Sequence, residues 1–453
     1  MLVISMIAVF VVGYLFIAIE NRTRINKAAA AMVMCAVLWT MYMFFGDTIH
    51  PQLTAAGVNS ELWSALASAC EILVFLICAM TIVTLIDQNG GFDFITRRIT
   101  TRNKVKLVWI IAFMTFFLSA LLDNMTTTII MVMLMGKLLA NYKERWVFAG
   151  LIIIAANAGG AWSPIGDVTT IMLWVKGNVT SWGLISSLFL PSLVSVVIPA
   201  AICSRIVHGI VTAPGYKDEH ASMAPHISGR ESIVIFALGV LFLLLVPVFK
   251  ALTGLPPYMG MILALGILWV VTEVMYKRHS DIPSSDQKRV GNVIREVDMT
   301  TILFFLGILM AVSALEGAGV LGGFAGMLDG SVHNVYLINV LIGLMSAVVD
   351  NVPLVAASIG MYPLPDAAAL AASADPAYAE YFVQDGVFWK LLAFCAGTGG
   401  SILIIGSAAG VVAMGLEKIN FGWYLRNFTL MALAGYLAGV AVFVLEMLAT
   451  GAF

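Results

Sequence analysis

The sequence predicts an all-α polytopic membrane protein made of two inverted-topology repeats, each with a re-entrant helical hairpin and a broken helix. Three observations carry that expectation. The chain is 61% hydrophobic and only 11% charged over 453 residues, with a mean hydropathy of +0.98, whereas soluble domains carry about 25% charged residues. Polar stretches interrupt the apolar runs at places that recur in both halves. Lys and Arg are shared among the loops in a pattern that an inverted repeat satisfies.

A formal net charge of -2 argues against a nucleic-acid partner and leaves the lipid bilayer as the surroundings the chain requires. Cys35, Cys70, Cys78, Cys203 and Cys395 all lie in apolar segments without C-x-x-C spacing, so they read as small buried hydrophobes, with no disulfide framework and no metal centre. The run 2–19 lacks a basic leader, and Glu20-Asn21-Arg22 is a poor signal-peptidase site, so a retained first helix is expected.

In chain order, 2–19 and 28–45 are spans separated by Arg22, Arg24 and Lys27, and a loop without Lys or Arg follows at 46–60. The span 62–86 contains Glu71, and a basic segment with Arg97, Arg98, Arg102, Lys104 and Lys106 comes next. A hairpin is expected over 105–141, a broken helix over 147–176 interrupted at 157–170, and a closing span over 184–207. The hydrophilic stretch 209–231 divides a first repeat, 1–208, from a second, 232–453. In the second repeat 233–249, 258–276 and 299–315 are spans, 334–362 is the hairpin, and 387–416 is the helix broken at 397–410. The span 428–448 ends the series.

The halves align at a nearly constant offset. Leu38-Trp39 matches Leu268-Trp269, Asp123-Asn124 matches Asp350-Asn351, Gly159-Gly160 matches Gly399-Gly400, and Asp167 matches Ser407. Such internal repeats mark secondary transporters, whose sites lie at discontinuous helices. The first hairpin has basic residues at both ends, Arg102–Lys106 and Lys137–Arg145, which places both ends in the cytoplasm. The second is followed by an acidic loop with Asp366, Asp375, Glu380 and Asp385, which suits the opposite face. Both termini then come out external.

A carboxylate at bilayer depth costs several kcal/mol unless it faces a partner or a water-filled cavity. Asp123 is one, in SALLDNMTTTIIM (119–131), and Asp350 is its counterpart in SAVVDNVPLVAAS (346–358). The hairpin tips offer Asp123, Asn124, Thr126 and Thr127, and Ser346, Asp350 and Asn351. The helix breaks offer Asn157, Ser163, Asp167, Thr169 and Thr170, and Thr398, Ser401 and Ser407. These are hard oxygen ligands suited to Na⁺ or Li⁺. Asp123, Asp167 and Asp350 are expected to converge, with no Lys or Arg in the central part of any of these elements, so the fixed charge is negative and a cation is the expected substrate. Na⁺ is assigned to Asp123, Asn124, Asp167, Asp350 and Asn351, and Glu71 is a further candidate proton site. Clustered carboxylates cannot all stay ionised, so H⁺ and metal ion would compete for one set, which is sufficient for antiport. Each residue also has a plainer role: Asp167 can cap the restarted helix, and the threonines can back-bond to their own helices.

Together with SALLDNMTTTIIM, the stretch NAGGAWSPIGDVTTIMLW (157–174) resembles the bacterial NhaD-type sodium/proton antiporters of the ion transporter superfamily, and the resemblance covers essentially the whole chain. It implies Na⁺ and Li⁺ efflux against H⁺ across the bacterial inner membrane, a homodimer, and an elevator-like motion. No cofactor is implied beyond the transported ions. By motif position it implies roles for Asp123, Asn157, Asp167, Thr169, Thr170, Ser346, Asp350 and Asn351. Gly397 opposite Asn157 and Ser407 opposite Asp167 depart from symmetry, so most ligands are expected from the first half. Anion-carrying relatives resemble Ser-Asn-Thr at the tips, where this chain has Asp-Asn. The competing readings are such a sodium-coupled anion carrier, a channel, and an intramembrane aspartyl protease, whose Tyr-Asp and Gly-x-Gly-Asp motifs are missing at Asp123 and Asp350.

Overall fold

The structure, a computed structural model, describes residues 2–18, 23, 25–46, 54–91, 101–211, 227–279, 282–284, 286–348, 350–373 and 375–450. Arg22, Arg24, Arg97 and Arg98, the loop residues 47–53 and most of the expected linker (212–226) lie outside these. Among the described residues the chain is helical, with one isolated bridge between Asn103 and Ile210. Eight of these helices are long and apolar enough to cross a membrane, and six shorter apolar ones accompany them.

The first half contains α1 (Leu2–Ala18), α2 (Lys27–Phe45), α3 (Ala55–Gln88), α4 (Lys104–Leu122), α5 (Asn124–Leu138), α6 (Tyr142–Ala161), α7 (Val168–Val175) and α8 (Ser181–Ile206). In the second half α9 (Gly229–Thr253), α10 (Pro257–Lys277) and the short α11 (Val290–Val293) precede α12 (Met299–Gly317) and α13 (Val320–Ser331). Then come α14 (Val335–Ser346), α15 (Asn351–Met361), the short α16 (Ala367–Ala372) and α17 (Pro376–Ala379), α18 (Val387–Gly399), α19 (Ala408–Glu417), α20 (Phe421–Asn427) and α21 (Thr429–Thr450).

Packing sorts these helices into two bodies. In one, α2 lies against α1 and α12, while α3 packs on α9, α10 and α12. Trp39 Nε1 donates to the Met310 carbonyl (2.8 Å) and the Tyr42 hydroxyl to that of Gly317 (2.9 Å), which fixes α2 along α12. In the other body α6 is central, packed by α4, α5, α8, α18 and α19, and α8 lies along α21. The bodies meet mainly where α12 touches α15 and α3 touches α7. At one end of the second body Arg145 grips Glu417 through Nε (2.8 and 3.0 Å), and Lys104 pairs with Glu144 (2.6 Å), so two of the basic residues flanking α4–α5 are tied to neighbouring carboxylates.

The same contacts recur in the two halves. Ser119 Oγ donates to the Ala156 carbonyl (2.6 Å) and Ser346 Oγ to that of Ala396 (2.7 Å). Gly159 lies against the Phe116 carbonyl, and Gly399 against that of Gly343, so closely that a Cβ on either glycine would overlap backbone. Asp167 and Ser407 cap restarted helices with almost identical backbone angles (φ −147, ψ 149 and φ −146, ψ 155).

Three features differ from the sequence expectation. The breaks are shorter: α6 stays helical through Asn157 and Gly160 and stops at Ala161, and α18 runs through Gly397 and Thr398 to Gly399. The glycines hold helix here because they are what lets α4 and α14 approach, which outweighs their low propensity. The span expected at 62–86 is the 34-residue α3, which starts at Ala55 because the Thr54 hydroxyl accepts from Gly57 N–H (3.2 Å). The unexpected α13 carries Gly322, Gly323, Gly326 and Gly330, which mask its pattern, and it forms by packing against α12 and α15.

Gly159→Ala should therefore destabilise the protein by roughly 1–3 kcal/mol. Gly266→Ala is the control, since its Cβ would meet open space. Melting temperatures in detergent check this; equal values for the two variants would mean that α4 and α6 do not need the close approach.

Candidate ion-binding site

The site grows from four helix starts. Helices α5, α7, α15 and α19 begin one residue after Asp123, Asp167, Asp350 and Ser407. Each start presents unpaired backbone N–H groups, which an acidic or hydroxyl cap can satisfy. The four caps do so differently, and the difference follows from the residue three places on. Asp123 accepts from Thr126 N–H (2.8 Å) and from the Thr126 hydroxyl (2.8 Å). Its backbone takes φ 80, ψ 159, a conformation that costs a residue with a side chain about 1–3 kcal/mol. Asp350 has Pro353 at the corresponding place, which carries no N–H, and its carboxylate makes no cap bond.

At the centre stands Asp167, 1% exposed. Its carboxylate accepts from Thr169 N–H (3.0 Å) of its own helix, from the Asn124 amide at the start of α5 (2.8 Å), and from the Asn351 amide at the start of α15 (3.3 Å). Asn124 also donates to Asn157 Oδ1 (3.0 Å), and Asn157 donates to the hydroxyls of Ser401 (2.9 Å) and Ser407 (2.8 Å). One buried network thus joins both helix pairs and both breaks. Among the described residues no Lys or Arg pairs with Asp167. Among the described residues the fully buried hydroxyls of Thr127 and Thr169, like those of Thr115 and Ser192, have no hydrogen-bond partner. Asp123, Asn124 and Thr126 line an adjoining cavity of about 70 Å³ between the bodies, walled on the other side by Thr301 and Phe305.

Asn124, Asn157, Asp167, Asn351, Ser401 and Ser407 are therefore brought together, with Thr127 and Thr169 as orphaned oxygens. Other candidates donate their hydroxyls locally, which leaves the oxygen lone pairs free to accept. Thr170 and Thr398 bond to carbonyls of their own helices or caps (2.9 and 2.5 Å), Ser163 Oγ donates to the Ala120 carbonyl, and Ser346 holds α14 to α18. Glu71, mid-way along α3, has no bond to the network; nearby Ser68 and Ile72 line a separate cavity with Lys176 and Glu316.

Asp123 and Asp350 both lie within electrostatic reach of Asp167, but among the described residues no three acidic, His or Cys side chains close into one ligand group. Asp123 is held by its own helix, and Asp350 is drawn away by Lys27 Nζ at 2.9 Å. Lys27 was read as a loop cation. Placed at the start of α2 instead, it reaches the tip between α14 and α15, so the neighbourhood is not free of positive charge. Pro353 in SAVVDNVPLVAAS was the sequence signal that Asp350 would look for another partner.

Helices that stop and restart around a buried, hydrogen-bonded carboxylate inside a polytopic membrane protein are an arrangement that secondary transporters use. The model of the family described as "Citrate transporter" (CitMHS) matches residues 14–379. Sodium/proton antiporter 1 of Arabidopsis thaliana is 45% identical over 97% of this chain and 72% of its own length. The Na(+)/H(+) antiporter NhaD of Alkalimonas amylolytica is 30% identical over 96% of this chain and 89% of its own. The chain belongs to this family, on the branch of the NhaD-type antiporters. Its fold is that of the YdaH transporter of Alcanivorax borkumensis, with a TM-score of 0.60 at 13% identity over 94% of this chain and 99% of that one.

Asn157→Ala would strip Asn124, Ser401 and Ser407 of a common partner at full burial. A destabilisation of about 2 kcal/mol is expected, read as a lower melting temperature in detergent. An unchanged value would show that the two halves are joined by something else.

Proposed function

We propose that this chain exchanges Na⁺, and Li⁺, for H⁺ across the cytoplasmic membrane by alternating access. One observation carries the reading: the Asp167 carboxylate is buried, held only by neutral donors from both halves, and followed two residues on by a buried hydroxyl, Thr169, that has no hydrogen-bond partner among the described residues. A carboxylate in that position is strongly drawn to a cation or a proton. An amide has both a donor and an acceptor end. Asn124 and Asn351 can therefore turn from donating to Asp167 to offering Oδ1 to an ion. The hydroxyls of Thr127 and Thr169 and the carboxylate of Asp123 complete an oxygen shell of the kind that suits a hard cation. With a proton on Asp167 the shell loses one of its two negative charges and holds the ion less tightly, so the ion leaves; with Na⁺ bound the proton is disfavoured. Exchange follows from that competition, with no separate proton wire. The names of the relatives, sodium/proton antiporters from a plant and a bacterium, support the same pair of ions.

In this reading 1–208 and 232–453 are inverted repeats joined by 209–231, and α4–α5 and α14–α15 are re-entrant hairpins entering from opposite faces with both termini external. The body around α6 then moves, elevator-like, against the body around α3, in a homodimer. Each body having its own packing, with few contacts between them, suits such a motion.

The test is proton flux in everted vesicles with an acid interior. Na⁺ and Li⁺ should dissipate the gradient and K⁺ and citrate should not, and Asp167→Asn and Asp123→Asn should each abolish the response. Dissipation by citrate alone would replace this reading with the anion carrier that the family description names. Normal exchange by Asp167→Asn would remove Asp167 from the mechanism.

A further inference from the structure

We propose that Lys27 is a cation built into the α2–α12 body that occupies Asp350, keeping that carboxylate out of the ion's ligand set and setting how tightly the site holds Na⁺. This rests on the cation-exchange reading above and adds a residue to it.

The geometry carries the inference. Lys27 Nζ lies 2.9 Å from Asp350 Oδ2. It also sits over the Phe304 ring of α12, 4.3 Å from the centroid, so the ammonium is held from the α2–α12 side. The pair is 26% and 16% exposed, so water screens it only in part. Asp350 is open to this contact because its carboxylate makes no cap bond, Pro353 having removed one of the two N–H groups a cap can use, whereas Asp123 spends its carboxylate on Thr126. The two equivalent aspartates of the repeat are thus assigned different work: one is shaped into the site, the other is tied to the opposite body. The buried hydroxyl of Tyr14 on α1, which has no hydrogen-bond partner, lies within the electrostatic reach of Asp350.

Two consequences follow. Asp350 sits next to Asn351, which donates to Asp167, so whatever holds Asp350 also holds one of the donors that an ion must displace. And because Lys27 and Asp350 belong to different bodies, motion of one past the other separates them. The closed pair therefore resists that motion.

The experiment compares Lys27→Met, Lys27→Arg and Lys27→Met/Asp350→Asn in the full chain with two readouts. One is the half-saturating Na⁺ for proton flux in everted vesicles; the other is the Na⁺ concentration that half-maximally raises the melting temperature of the purified protein, which reports binding without transport. Freeing Asp350 in Lys27→Met should lower both values by about threefold to tenfold, the scale of one partly screened ion pair. Lys27→Arg, which keeps the charge and the ring contact, should stay within about twofold of the parent. The double variant should lose the gain in affinity. A merely structural bridge would lower the melting temperature without Na⁺ and leave the half-saturating Na⁺ alone. Unchanged half-saturation in Lys27→Met, or a gain that survives in the double variant, overturns the proposal. Should Lys27→Met not fold, Lys27→Gln gives the same comparison. If the parent itself shows neither exchange nor a Na⁺-dependent shift, it is the cation-exchange reading that fails.

Discussion

The hydrogen bonds from Asn124 and Asn351 to Asp167 are the interaction on which the centre of this molecule depends. A buried carboxylate is costly, and here the compensation comes from neutral amides on two different helix starts, one in each half. Removing either amide would take from the carboxylate one of its two side-chain donors and leave only one half supplying the other. The Asn157 side chain extends the same logic to the breaks, because a single amide satisfies Asn124 on one side and two serines on the other. The glycine contacts at Gly159 and Gly399 set the helix spacing that lets these short side chains meet.

Much of this was written legibly in the sequence. The apolar runs gave the helices, and Asp123, Asn124, Asn157, Asp167 and Asn351 stood out because carboxylates and amides are rare in such surroundings. What the sequence hid has physical reasons. The ends of the breaks were misplaced by several residues because Gly-Gly looks like a breaker, while here it is the packing face of a helix. Helix α13 was invisible because its four glycines erase any pattern. Thr170 and Thr398 donate their hydroxyls to nearby carbonyls, contacts that depend on the helix geometry and are not legible from residue type alone. The Lys27–Asp350 pair bridges 323 positions of chain, and no local pattern encodes such a contact. Only the missing donor at Pro353 hinted at it.

Each half of the molecule solves the same problem with different residues. In the first half the cap at the restarted helix is Asp167 and becomes the centre of the network; in the second it is Ser407, which serves as an acceptor for Asn157. At the helix pairs the asymmetry lies in the carboxylates, with Asp123 turned onto its own helix and Asp350 onto Lys27. The repeat supplies a scaffold with four equivalent positions, and the side chains at those positions need not be alike.

The four helix starts gathered at this site have a wider consequence. A helix N-terminus carries a partial positive charge of roughly half a unit, so the bare backbone of this scaffold is electropositive. Asp123 and Asp167 offset that charge, and they occupy single cap positions that Ser or Thr can also fill. On the proposed exchange, the polarity of the cargo is set by a handful of side chains laid over a main chain that would, by itself, welcome an anion. A lineage built on this frame could change from one sign of cargo to the other by substituting caps, without rebuilding a helix.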